Sequence, residues 1–138
     1  DDAPEFTRVA PDTVEGSCPP ALRDFMEVRG LGIINVRALF GDSAVKPRRA
    51  LRLVIKLVVL DEGGYSAEQR LQGIRGTREV LGIPLPEVSL PIALGHNMAV
   101  LVECAVRNFI LGMKGYDAAE DFAKRQAAIM RGEVIAEG

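Results

Sequence analysis

One histidine and two cysteines are all that 138 residues offer toward soft metal ligation. The lone His96 excludes any multi-histidine metal site and leaves few options for a Ser-His-Asp relay. Cys18 and Cys104 lie far apart and form no Cys-x-x-Cys pair, which argues against zinc. They allow one disulfide or two thiols, and a reducing compartment favours the thiols. Charge of either sign is not in excess. Lys plus Arg number 17 and Asp plus Glu 19, a net charge of −2, so a generally basic nucleic-acid-binding surface is excluded. Long hydrophobic runs are missing too. Val58–Leu60 and Ala99–Val102 fall far short of a bilayer span, so no membrane partner is expected. No signal-peptide pattern opens the chain, and it begins Asp1-Asp2-Ala3-Pro4 without Met. The expectation is a piece of a longer protein.

What is present is ordinary globular material: 48% apolar and 26% charged residues, enough for one α/β domain with a real core. Four of the eight prolines fall in residues 3–20, at Pro4, Pro11, Pro19 and Pro20. They remove backbone donors and predict a mobile loop with one short strand at Phe6–Val9. Ala21–Val28 reads as a short helix or a short strand. Ile33, Val36, Leu39 and Phe40 recur at helical spacing, with Gly41 placed to end that helix. Ala50–Leu60 alternates, with Leu51, Leu53, Ile55, Leu57 and Val59 on one face, and predicts the clearest strand. Residues 61–80 are polar and glycine-rich and read as a loop with short pieces of structure. Glu87–Ile92 predicts a second strand, limited by Pro84, Pro86 and Pro91. Asn97–Gly112 carries Met98, Leu101, Val102, Ala105, Val106 and Phe109 on one helical stripe. Asp117–Met130 opens with Asp117 and Glu120 spaced as a capping box. Residues 132–138 are expected to fray.

Gly41-Asp42-Ser43-Ala44-Val45-Lys46-Pro47 has the outline of a phosphate-binding loop. It fails as one, because Val45 stands where Gly must precede Lys46, and Pro47 stands where Ser or Thr must follow. A turn between helix and strand is the better reading. By residue type alone, Asp1-Asp2 is a solvated acidic pair, Glu27 and Arg29 a surface ion pair, Arg70 a surface arginine, and His96 a cap-region or surface histidine.

One stretch changes that reading. Glu27-Val28-Arg29-Gly30-Leu31-Gly32-Ile33-Ile34-Asn35-Val36, followed by Leu39-Phe40-Gly41, resembles the signature of HPr kinase/phosphorylase. Asp1-Asp2, Leu90-Pro91-Ile92, Gly95, Asn97, Ala99-Val100, Glu103, Asn108-Phe109, Met113 and Gly115-Tyr116 match the family's pattern in order. The resemblance runs from Asp1 to about Arg131. It implies the C-terminal portion of a P-loop kinase-like α/β catalytic domain, related to phosphoenolpyruvate carboxykinase. It also implies a cytoplasmic homo-hexamer that phosphorylates a serine of HPr, or an HPr-like phosphocarrier, with ATP and magnesium. The same family removes that phosphate with inorganic phosphate, releasing pyrophosphate.

Residue by residue, the resemblance implies that Asp2 is the catalytic acid-base, with Asp1 in support, that Glu27 is a magnesium ligand, and that Arg70 is a catalytic arginine. It makes Met26, Glu27, Val28, Arg29, Gly30, Leu31, Gly32, Ile33, Ile34 and Asn35 the segment serving both reactions. It makes Pro91, Ile92, Ala93, Leu94, Gly95 and His96 the dephosphorylation loop. The chemistry agrees: phosphoryl transfer rests on positioning and charge neutralisation, which carboxylates, magnesium and an Arg fork supply.

The chain departs from the family's pattern in three places. The family's phosphate loop and catalytic histidine lie upstream of the Asp-Asp pair, so these 138 residues alone are not expected to catalyse. His96 stands where the family usually has Arg and Ala93 where a basic residue is common, and a neutral imidazole is the weaker phosphate partner. Tyr65-Ser66-Ala67-Glu68-Gln69 lengthens the approach to Arg70, leaving Arg75 as the alternative arginine. Residues 3–20 suit a lid over nucleotide or protein substrate, or a plain disordered connection. The reading from another class is a regulatory or interaction module that keeps the fold without catalysis.

Overall fold

The computed structural model describes residues 3–59, 63–93, 95 and 97–133. They form a mixed α/β chain, as expected, with eight strands and four α-helices among the described residues. The chain divides into two compact units: Asp1–Val54 with Thr77–Pro86, and Ile55–Gly76 with Glu87–Gly138.

The first unit opens with β1 (Glu5–Ala10) and β2 (Thr13–Ser17), an antiparallel hairpin that corrects the expected mobile loop over 3–20. The prolines flank these strands instead of interrupting them. Pro4 precedes β1, Pro11 sits in the two-residue turn, and Pro19-Pro20 lead into a 3-10 turn over Pro20–Leu22. Strand β3 (Phe25–Val28) pairs with β4 (Gly32–Asn35) in a second hairpin, so the segment left open between helix and strand is extended. Gly30 (φ 89°) occupies the left-handed position that its short turn demands. Helix α1 is therefore shorter than the 33–40 spacing predicts, Val36–Phe40, and Gly41 does end it. A 3-10 turn over Asp42–Ala44 follows, so the loop with a phosphate-site outline is the plain turn expected.

The predicted strand over 50–60 is two strands. Strand β5 (Arg48–Ala50) pairs antiparallel with β2, and β6 (Val54–Val58) belongs to another sheet. Leu57 and Val59, on the predicted apolar face, are exposed. Alternation gave no sign of the break because Leu51–Leu53 continue the pattern while switching partners: Leu51 N donates to Val14 O at 2.8 Å.

Strand β7 (Ile74–Val80) and β8 (Ile83–Pro91) form a long hairpin; its turn end belongs to the first unit and its far end to the second. The sheet order is β6-β8-β7. Strand β8 begins before the predicted Glu87, with Pro84 and Pro86 inside it. Both take exposed alternate positions while Ile83 and Leu85 are buried, so the two lost donors lie along one edge. The first unit's core is Val14, Ile83 and Leu85, with Leu51 and Val80 packed against them.

In the second unit, helix α2 (Ala67–Gln72) precedes β7 and is one of the short pieces of structure expected within the 61–80 loop. Helices α3 (Met98–Met113) and α4 (Ala118–Met130) stand where predicted. Asn97 and Asp117 cap them, each side chain accepting a backbone N–H. On α3 the predicted stripe is half-buried at Met98, Leu101, Val102, Ala105 and Phe109. Both helices end in a six-residue closure: Tyr116 N donates to Leu111 O at 3.1 Å and Glu133 N to Ala128 O at 3.0 Å. Gly132 and Glu133 are thus part of the α4 cap and not of a frayed tail; 134–138 lie outside the described residues.

Candidate functional site

The second unit holds an open recess of about 370 Å³, lined by Tyr65, Gln69 and Arg70, Gly73 and Ile74, Val88, Ser89, Leu90 and Pro91, and Leu101. Arg70 reaches it from α2, a helix of less than two turns that would not hold by propensity alone. Its ends are fixed instead. Ser66 Oγ accepts from Gln69 N at 3.1 Å, and Gln69 Oε1 accepts from Ser66 N at 3.0 Å, a complete capping box. Gly73 N donates to Gln69 O at 2.7 Å and closes the other end. The backbone of Arg70 is therefore held while its guanidinium is exposed and, among the described residues, makes no ion pair. Among the described residues it is the only charged one in the lining, beside apolar Leu90, Pro91 and Leu101, an arrangement that favours an anionic group.

Of the residues implied by resemblance, the structure brings Arg70 and Pro91 to this one recess. Arg75, the alternative, lies exposed on β7. Ile92 N donates to Val58 O at 2.8 Å, which ties the start of the 91–96 segment to β6. Ala93 and Gly95 are exposed; Leu94 and His96 lie outside the described residues, as do Asp1 and Asp2. Tyr65 and Ser89 are recess residues that residue types did not single out. The Ser66-x-x-Gln69 spacing is the signal that would have found α2.

Met26–Asn35 forms the β3–β4 hairpin of the first unit. Glu27 sits on β3 opposite Ile33, exposed, and Asn35 ends β4 as the N-cap of α1. Arg37, the second residue of α1, pairs with Asp24 Oδ1 at 3.1 Å and Asp42 Oδ1 at 3.2 Å. The Asp24 carboxylate first, then that of Asp42, raises the guanidinium's pKa. Among the described residues no group of three or more His, Cys, Asp or Glu forms a cage. One exposed carboxylate fits magnesium as a single ligand, since that ion is commonly held by one or two carboxylates with phosphate and water.

Fold and recess define a mixed α/β domain with an arginine poised for an anion. The family model described as HPr Serine kinase C-terminal domain matches residues 1–126, and the chain belongs to that family. It is 48% identical over 131 residues to an HPr kinase/phosphorylase of Chromobacterium violaceum, covering 95% of this chain and 41% of that protein. An HPr kinase/phosphorylase of Xylella fastidiosa is 47% identical, with 94% and 42% covered. The chain thus spans about two-fifths of the length of these relatives. Among solved structures it resembles the Hpr(Ser) kinase/phosphatase of Coxiella burnetii, with a TM-score of 0.71 and 34% identity, over 86% of this chain and 71% of that one. No helix among the described residues is long and apolar enough to cross a membrane.

Proposed function

We propose that the full-length protein carrying this chain is a kinase/phosphorylase acting on a serine of HPr or an HPr-like phosphocarrier. The observation that carries this reading is the meeting of Arg70 and Pro91, from separate elements, at one recess whose only charge among the described residues is the arginine. In the kinase direction the serine oxygen bonds to the γ-phosphorus of ATP, ADP leaves, and the serine proton passes to Asp2. In the reverse direction inorganic phosphate attacks the phosphoserine, Asp2 returns the proton to the serine oxygen, and pyrophosphate leaves. Arg70 neutralises charge on the transferring group, which its planar fork suits. Glu27 would hold magnesium, which supplies charge neutralisation on the phosphates. Pro91–His96 would shape the phosphorylase direction. A homo-hexamer in the cytoplasm completes the proposal.

The test is incubation of full-length protein with ATP, magnesium and HPr, with phosphoserine read by mass spectrometry. Transfer is expected; Asp2→Asn abolishes it with the circular dichroism spectrum unchanged, and Arg70→Ala lowers the rate by about a hundredfold or more. Absence of transfer by the unaltered protein sinks the proposal and leaves the non-catalytic interaction module. Transfer retained by Asp2→Asn removes that residue from its role.

A further inference from the structure

The β3–β4 hairpin packs against α1, the helix that directly follows it. Two bonds reach back from the helix to the foot of β3. Val36 N donates to Asp24 O at 2.8 Å, and Arg37 Nε meets Asp24 Oδ1 at 3.1 Å. Asp24 holds a left-handed backbone, φ 72°, a conformation that costs free energy unless its surroundings impose it. Its Oδ1 is buried and has no hydrogen bond of good geometry, so Arg37 is what meets that charge. The Asp24 side chain is only 25% exposed, and a carboxylate so placed is costly to leave alone. The other arm of the guanidinium holds Asp42, just beyond α1, at 3.2 Å.

We propose that Arg37 is a positioning residue: by clamping Asp24 and Asp42 it sets the hairpin that presents Glu27. This rests on the functional reading above for its consequence in phosphoryl transfer, but not for its structural content. A point-charge ammonium cannot span both carboxylates as the fork does, so lysine restores the clamp only in part.

The test uses full-length protein and two readouts. The first is amide hydrogen exchange of peptides covering 25–35, with the 5–17 hairpin as internal reference. Arg37→Met is expected to speed exchange of the signature hairpin about three- to tenfold and leave the reference unchanged, with Arg37→Lys in between. Arg37→Met combined with Asp24→Asn is expected to be less disturbed than the two single changes predict, because no buried charge is left unmet. The second readout is the magnesium concentration giving half-maximal phosphotransfer, expected to rise severalfold in Arg37→Met and to recover partly in Arg37→Lys. Unchanged exchange overturns the clamp. Faster exchange with an unchanged magnesium requirement overturns the positioning role. If the unaltered protein transfers no phosphate, the functional reading fails on its own, and the exchange data still decide whether Arg37 sets the hairpin.

Discussion

The side chain of Asn35 accepts the backbone N–H of Ala38 at 2.9 Å while its own backbone pairs with Phe25. One residue therefore closes the signature hairpin and opens helix α1. Asn35→Ala removes an N-cap acceptor and leaves an orphan N–H, at a cost of about 1 kcal/mol in urea unfolding; Asn35→Asp keeps most of it. A loss within error for the alanine variant would show that the cap contributes nothing.

Val14 has no exposed surface and packs with Ile83 and Leu85 in a core that holds few other residues. Val14→Ala removes two methyl groups and leaves a cavity that neighbouring strands are too constrained to fill. The expected loss is about 2 kcal/mol, read as a lower denaturant midpoint with unchanged slope. Val9, 53% exposed on β1, is the control, and its alanine variant is expected to lose less than about 0.5 kcal/mol. Equal losses at both positions would contradict this assignment of the core.

How much of this was legible in the sequence follows from what each element leans on. Helices α3 and α4 carry their own start and stop signals, Asn97 and Asp117 before them and Gly115 and Gly132 after them, so their spans were readable. Strand β8 was cut short because Pro84 and Pro86 argue against a strand locally, and only pairing on the other edge permits them. Helix α2 has six residues, less than two turns and too short for periodicity, although its capping box is spelled out. Strands β5 and β6 read as one because alternation carries no record of which neighbour a strand pairs with. Glu27, Arg70 and Pro91 emerged from resemblance. Tyr65 and Ser89 join Arg70 only through folding, and no local pattern marks them.

Leu81 and Gly82 link β7 to β8 with positive φ at both positions, 50° and 80°. That backbone suits Asn-Gly far better than Leu-Gly, because leucine pays a steric cost there. Leu81→Asn is expected to stabilise by about 0.5–1 kcal/mol, seen as a higher Tm. Gly82→Ala is expected to cost about 1–2 kcal/mol, because a Cβ there is strained and would stand 3.2 Å from Arg8 Nη1. A neutral alanine variant would refute the turn geometry.

Tyr116 follows α3 and donates its hydroxyl to Asp121 Oδ2 of α4 at 2.8 Å, across the corner between the helices. This hydrogen bond, then burial, then the charge of Asp121, pushes the phenol's pKa up. The bond needs the phenol's proton. Its contribution to stability is therefore complete below the ordinary titration range of tyrosine and is lost as pH rises through the raised value. The chain has two tyrosines, so Tyr65→Phe leaves Tyr116 as the sole ultraviolet reporter within it. The Tyr65→Phe form of this 138-residue chain is expected to titrate above the usual phenol range, and adding Asp121→Ala is expected to bring it back. An ordinary titration in the presence of Asp121 would mean that the hydrogen bond is not populated in solution.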